Sequence, residues 1–161
     1  MIVVLWGVSG CGKSTIGQQL ADELGWEFLD ADDFHPAASI AKMRAGTPLT
    51  DDDRWPWLDE LAETLRSKLR ERKSAVLACS ALRAVYRERL QVDEHVVFVQ
   101  LSGDFGLIAD RLKSRSHEFM NPGLLQSQFD TLEPDPDGIE VDIAVSTHAV
   151  CGQIKEALAL T

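Results

Sequence analysis

The sequence predicts a three-layer α/β fold, a five-stranded parallel sheet covered by crossover helices on both faces. Short β-type runs alternate with helical patterns along the chain, the order expected of strand–helix–strand units. The runs are almost continuously apolar, as in Val96-Val97-Phe98-Val99, which suits strands buried on both faces rather than a sheet with one wet side. The length, 161 residues, is enough for one domain with a sizeable core and leaves no room for two catalytic domains.

Taken in order, strands are expected at 2–6, 26–30, 74–79, 96–101 and 139–145. The first helix is expected over 15–24, where Ile16, Leu20 and Leu24 share one face and Gly25 supplies a left-handed stop. A helix around 40–44 follows the acidic stretch 30–33. The next, 54–73, carries Leu58, Leu61, Ala62, Leu65 and Leu69 on one stripe. Pro56 is placed in its first turn, and Arg70, Arg72 and Lys73 sit where the helix dipole favours cations. A helix over 104–114 turns Ile108 and Leu112 inward, and the polar stretch 114–121 after it is expected to be mobile. Two prolines, two aspartates and a glycine mark 134–138 as a surface loop. No linker or repeat divides the chain, so 1–161 is read as one domain.

Composition narrows the partners. Sixteen Lys and Arg face 26 Asp and Glu, a net charge of −10, so the molecule as a whole repels nucleic acid and anionic membranes. Any anionic ligand needs a local cluster of donors. The three cysteines, Cys11, Cys79 and Cys151, have neither metal-ligand nor disulfide-framework spacing and read as free thiols of a reducing compartment. The apolar start, Met1 to Trp6, is too short for a signal peptide, and no run approaches the roughly 20 residues that span a bilayer. A cytoplasmic protein is expected.

The decisive motif is Gly7-Val8-Ser9-Gly10-Cys11-Gly12-Lys13-Ser14, which fits G-x-x-x-x-G-K-[ST] directly between a strand and a helix. The glycines let the backbone curl so that successive N–H groups face one concavity, and the helix N-terminus adds to the pull on phosphate. These eight residues and Thr15 are the expected ATP cradle, with Lys13 reaching the β and γ phosphates and Ser14 ligating Mg²⁺. A glycine-rich turn into an ordinary helix is the plainer alternative. The strand–loop–helix placement favours the nucleotide.

An acidic partner for the metal is expected at the end of another strand, and only 26–30 ends in one, making Asp30 the candidate. Asp32, just beyond, projects from the carboxyl end of the sheet, where it can orient an acceptor hydroxyl and take its proton. Asp33 reads as a helix-start charge. Positive charge for the transferring group is sought in Arg111 and Arg115, four apart on one helical face; the alternative is a solvated edge paired with Asp110 or Glu118. Arg83 stands near a strand end and can reach substrate, whereas Arg87 and Arg89 are read as surface charges.

At this point the chain resembles a specific family, the small bacterial-type gluconokinases, P-loop sugar-acid kinases related to shikimate kinase and the nucleoside monophosphate kinases. The resemblance runs from Val4 to about Asp142. It rests on residues 7–15, Asp30-Ala31-Asp32-Asp33-Phe34-His35-Pro36, Lys42-Met43-Arg44, Asp51-Asp52-Asp53-Arg54-Trp55-Pro56-Trp57-Leu58, Cys79-Ser80-Ala81-Leu82-Arg83 and the 124–134 stretch around Gln128-Phe129. It implies ATP-dependent phosphorylation of D-gluconate at its terminal hydroxyl to 6-phospho-D-gluconate and a sheet of order 2-3-1-4-5. A substrate segment at about 35–60, a lid at about 111–125 and often a homodimer go with it. By the same similarity Asp32 faces substrate, Arg111 stacks near adenine and Arg115 touches the phosphates. Ala31, Ser39, Arg83 and His117 depart from the usual family residues, and Arg83 in place of a lysine keeps the charge in a fork suited to a carboxylate.

A sugar acid needs a cation, hydrogen-bonding side chains and one base, which Arg54, Arg83, His35 and Asp32 supply. His35 also reads as a helix-start residue packed by Pro36, and Trp55 and Trp57 as packing. A kinase for shikimate or another aldonate shares every element except the acceptor pocket. A nucleotide switch is the reading from another class; the sequence offers it neither an Asn-Lys-x-Asp stretch nor a hydrolytic glutamine after a Walker B strand.

Overall fold

The computed structural model describes residues 1–114 and 122–160. Its elements are β1 (Ile2–Trp6), α1 (Lys13–Leu24), β2 (Glu27–Asp30), a 3₁₀ turn (Ala31–Phe34), α2 (Ala37–Arg44), α3 (Asp51–Arg70), β3 (Ala75–Ala78), α4 (Ala84–Leu90), β4 (Val96–Ser102), α5 (Phe105–Ser114), α6 (Pro122–Thr131), β5 (Ile139–Asp142) and α7 (Thr147–Ala157). The five strands form one parallel sheet of order β2-β3-β1-β4-β5, as the resemblance implies.

β1 lies at the centre, with Val3 paired to Val76 on one side and Val97 on the other. Side chains alternate across a strand, so Val3 and Leu5 join one core layer with α1, α5 and α7, while Ile2, Val4 and Trp6 join another with α3 and α4. Both faces being covered is why all five residues are apolar and buried. The central position sends the carboxyl end of β1 into the switch point between crossovers, where open α/β sheets bind ligands.

Two boundaries differ from expectation for local reasons. α3 starts at Asp51, three residues early, because Thr50 and Asp53 form a reciprocal capping box. Pro56 is therefore past the first turn, on the exposed side of the helix. β5 stops at Asp142, whose Oδ1 accepts from the Ala144 N–H at 2.8 Å and bends the chain away. Helices α4, α6 and α7 go beyond the elements expected. α7 carries a readable signal, a Ser146 cap on the Ala149 N–H followed by buried Val150, Cys151 and Ile154.

Arg87 corrects a sequence expectation, since it is buried rather than a surface charge. Its Nη1 donates to the Ala81 and Leu82 carbonyls at 2.8 and 3.1 Å, its Nη2 to the Glu133 carbonyl at 2.8 Å, and the guanidinium lies 4.0 Å over the Trp6 ring. Ala81 holds a left-handed φ of 40°, so the arginine secures a strained turn as well as tying the β3–α4 and α6–β5 connections together. Arg87→Met leaves these carbonyls unpaired and is expected to cost about 3 kcal/mol, a fall of about 6 to 12 °C in Tm by calorimetry. An unchanged Tm would contradict this role.

Candidate active site

The phosphate loop fills the turn from β1 to α1. Gly10 and Gly12 have φ of 82° and 93°, a region that side-chain-bearing residues rarely enter, and a Cβ on Gly10 would stand 2.7 Å from Leu112 Cγ. Gly12 caps α1 without a side chain, so the first-turn N–H groups of the helix remain available to an anion. Lys13 Nζ donates to the Gly7 and Val8 carbonyls, each at 3.0 Å, which holds the ammonium against the loop.

The pairing expected for the metal is present. Ser14 Oγ donates to Asp30 Oδ2 at 2.9 Å, and Asp30 Oδ1 accepts from the Asp32 N–H at 3.0 Å. One carboxylate oxygen therefore fixes the 3₁₀ turn while the other faces the hydroxyl at the start of α1. A hydroxyl and a carboxylate oxygen are hard donors that fit Mg²⁺, an ion that takes few protein ligands and keeps phosphates and waters for the rest.

The turn that Asp30 holds sets the next carboxylate. The Asp32 side chain is exposed, and desolvation by the protein around the turn, with the neighbouring Asp30 charge, raises its pKa above the ordinary 3.8. His35 and Lys13 act in the opposite sense. His35 Nε2 lies 3.7 Å from Asp32 Oδ1, too long for a hydrogen bond but close enough to respond to its charge. The imidazole stacks on Trp57, centroids 4.2 Å apart, and Trp57 Nε1 donates to the Ala31 carbonyl at 2.7 Å, so the tryptophan fastens both the turn and the ring. Burial lowers the His35 pKa and keeps the ring neutral at pH 7; its Nδ1 is buried without a hydrogen-bond partner among the described residues.

A second cluster gathers around Tyr86, the chain's one tyrosine. Arg54 Nη1 donates to the Tyr86 hydroxyl at 3.2 Å, Arg83 Nη1 donates to Asp51 Oδ2 at 2.7 Å, and the Tyr86 hydroxyl donates to Asp51 Oδ1. Both guanidiniums lie 5.5 Å from the Tyr86 ring centroid, and Arg83 Nε is 3.4 Å from Glu133 Oε1. The Tyr86 and Arg83 bonds hold the Asp51 carboxyl below its usual range. Two half-buried forks thus stand side by side on an aromatic face, the arrangement that suits a carboxylate. Arg54 also depresses the His35 pKa, which links this cluster electrostatically to the Asp32 side.

On the far side of the loop, a cavity of about 340 Å³ is lined by Gly12, Thr15, Ile16, Arg111 and the stretch that follows β5. Arg111 Nη2 donates to the Ile143 carbonyl at 2.6 Å, which lays the guanidinium along the cavity wall. Arg115 and the rest of 115–121 in the expected lid lie outside the described residues. Lys13, Ser14, Asp30, Asp32 and His35 come together at the ends of β1 and β2, while Arg54 and Arg83 form the neighbouring cluster. Asp51, Tyr86, Glu133 and Gln128 have no site role in the sequence reading, although Asp51, Gln128 and Glu133 lie in stretches that carry the resemblance. Of these only Asp51 had a local signal, as the first residue after a Thr cap.

The chain matches the family described as shikimate kinase over residues 9–130. It is 39% identical over 183 residues to a probable gluconokinase of Xenopus tropicalis, covering 99% of this chain and 96% of that protein. Among solved structures, a sugar kinase from Janibacter superposes with a TM-score of 0.92 at 41% identity over 99% of this chain and 95% of that one. A gluconokinase from Sinorhizobium meliloti superposes with 0.83 at 39% identity over 98% and 94%. With its phosphate loop, its parallel sheet order and full-length identity of this degree, the chain belongs to the gluconokinase family, within the wider group of shikimate-kinase-like P-loop kinases.

Proposed function

We propose that the protein is a gluconokinase that transfers the γ-phosphoryl group of ATP to the terminal hydroxyl of D-gluconate, giving 6-phospho-D-gluconate and ADP. What supports the reading is the run of neighbours from the phosphate loop toward a pair of guanidiniums: Ser14 bonds to Asp30, Asp30 holds the turn that carries Asp32, His35 lies beside Asp32, and Arg54, next to Arg83 on the Tyr86 ring, acts electrostatically on His35. A sugar acid is complementary to this layout, with its carboxylate toward Arg54 and Arg83 and its far hydroxyl toward Asp32. Bound Mg·ATP supplies the transferable group. The loop amides and Lys13 bind and neutralise it, and Ser14 with Asp30 would hold the metal's oxygen shell. Asp32 orients the acceptor hydroxyl in line and takes its proton as the new P–O bond forms and the bond to ADP breaks. Arg111 borders the base, and Arg115 is assigned to the phosphates by family similarity. His35, neutral, offers a hydrogen bond to an acceptor hydroxyl.

A coupled ADP-release assay over aldonates and cyclic acids tests the reading. Turnover on gluconate supports it, and turnover on shikimate with none on gluconate favours the alternative that the family match at 9–130 raises. An ADP rate indifferent to every acceptor would indicate a switch. Arg83→Ala is expected to raise KM for gluconate by about tenfold or more with little change in KM for ATP. Equal shifts in both would remove Arg83 from the acceptor site. Loss of activity on chelation, restored by Mg²⁺, checks the metal. A homodimer, a cytoplasmic setting and the lack of nucleic-acid binding complete the proposal. No helix among the described residues is long and apolar enough to cross a membrane.

A further inference from the structure

Helix α6 seats itself through buried Leu125 and through Phe129, whose ring centroid lies 5.5 Å from that of Phe105. That seating brings Gln128 against the phosphate loop, 119 residues away in the chain. Gln128 Oε1 accepts a hydrogen bond from the Ser9 N–H at 2.6 Å, and Gln128 Nε2 donates to Ser9 Oγ at 3.2 Å. The orientation of the carboxamide is determined by chemistry. A backbone N–H can only donate, so the amide oxygen must face it and the amino group must face the hydroxyl. A serine hydroxyl whose lone pair is engaged in this way keeps its own hydrogen for a second acceptor. The next residue, Gly10, packs on Leu112 and Ile108 of α5, so the loop is braced by α5 as well as bracketed by Gln128.

We propose that Gln128 is a positioning residue of the phosphate loop: its two-point bracket holds Ser9 so that the serine hydroxyl donates to an outer phosphate oxygen of the nucleoside triphosphate. The inference rests on the nucleotide reading given above. A glutamine suits the task because it carries an acceptor and a donor on one rigid plane. A glutamate of the same size accepts from both Ser9 groups, turns the hydroxyl hydrogen away from the phosphate and brings a negative charge to an anion site.

Calorimetric titration with Mg·ATP and steady-state kinetics on wild type, Gln128→Glu, Gln128→Met and Ser9→Ala test this. Gln128→Met and Ser9→Ala are each expected to weaken ATP binding about fivefold, and Gln128→Glu about tenfold or more. KM for gluconate should move less than about twofold and Tm should hold in all three. The double variant Ser9→Ala/Gln128→Met should lose less than the product of its singles, because one residue acts through the other. ATP affinity unchanged in Gln128→Glu overturns the inference. So does a parallel rise in both KM values with a lowered Tm, which would mark Gln128 as a structural brace alone. Absence of ATP binding in the wild type would instead overturn the nucleotide reading itself, and this inference with it.

Discussion

Asp32→Asn is expected to lower kcat on gluconate by about a thousandfold while the Kd for Mg·ATP, read by calorimetry, stays within about threefold. The substitution keeps the size and the hydrogen-bonding reach of the side chain and removes its ability to accept a proton. The backbone N–H of residue 32 still donates to Asp30 Oδ1, so the 3₁₀ turn and the Ser14–Asp30 pair remain in place. Equal loss of turnover and ATP binding would mean that Asp32 holds metal or structure instead. The raised pKa adds a pH test. In the proposed role Asp32 acts as a carboxylate, so activity would be full above its pKa and fall as the pH drops through it. The acid limb of kcat/KM for gluconate should therefore lie above the ordinary carboxylate value, and it should vanish in the asparagine variant. A wild-type limb at or below that value would place the base elsewhere.

The parts of this site that were legible in the sequence are those whose geometry is local. The phosphate loop is eight consecutive residues between a strand and a helix, and Asp30 and Asp32 sit at a strand end, so short-range rules place them. The Thr50–Asp53 box and the Ser146 cap are equally local; Pro56 drew the expected helix start away from the first. Tyr86, Arg87 and Gln128 are of another kind. Tyr86 acquires meaning only when α3 and α4 bring Arg54, Asp51 and Arg83 around it, 32 to 35 positions apart in the pairs that cross between the helices. Arg87 looks like one more arginine on a polar helix until Trp6 and three carbonyls enclose it. Pairings at such separations are set by tertiary packing, and periodicity carries no trace of them. Cys79 shows the reverse case, a residue in a family motif whose burial pushes its thiol up to about 12, too high for thiolate chemistry at neutral pH.

Lys13→Met is expected to reduce kcat/KM for ATP by about a thousandfold with Tm changed by no more than about 2 °C. The methionine retains most of the aliphatic stem and removes only the ammonium. In a chain of net charge −10 the background field opposes a triphosphate, so a local cation has a disproportionate share of the work of holding it. The two carbonyl contacts of Nζ, at Gly7 and Val8, keep the charge at the loop, which limits the reorganisation needed when phosphate arrives. Lys13→Arg should fail nearly as badly, because a planar fork cannot reproduce a compact ammonium on two converging carbonyls. The split between constants identifies where the charge acts. A fall mainly in kcat, with ATP still bound, means that Lys13 stabilises charge developing on the transferring group. A fall mainly in affinity means that it serves the ground state. Because phosphoryl transfer shifts charge toward the bridging and leaving oxygens, the larger part of the loss is expected in kcat. A variant with wild-type kcat/KM for ATP would contradict the assignment of this lysine altogether.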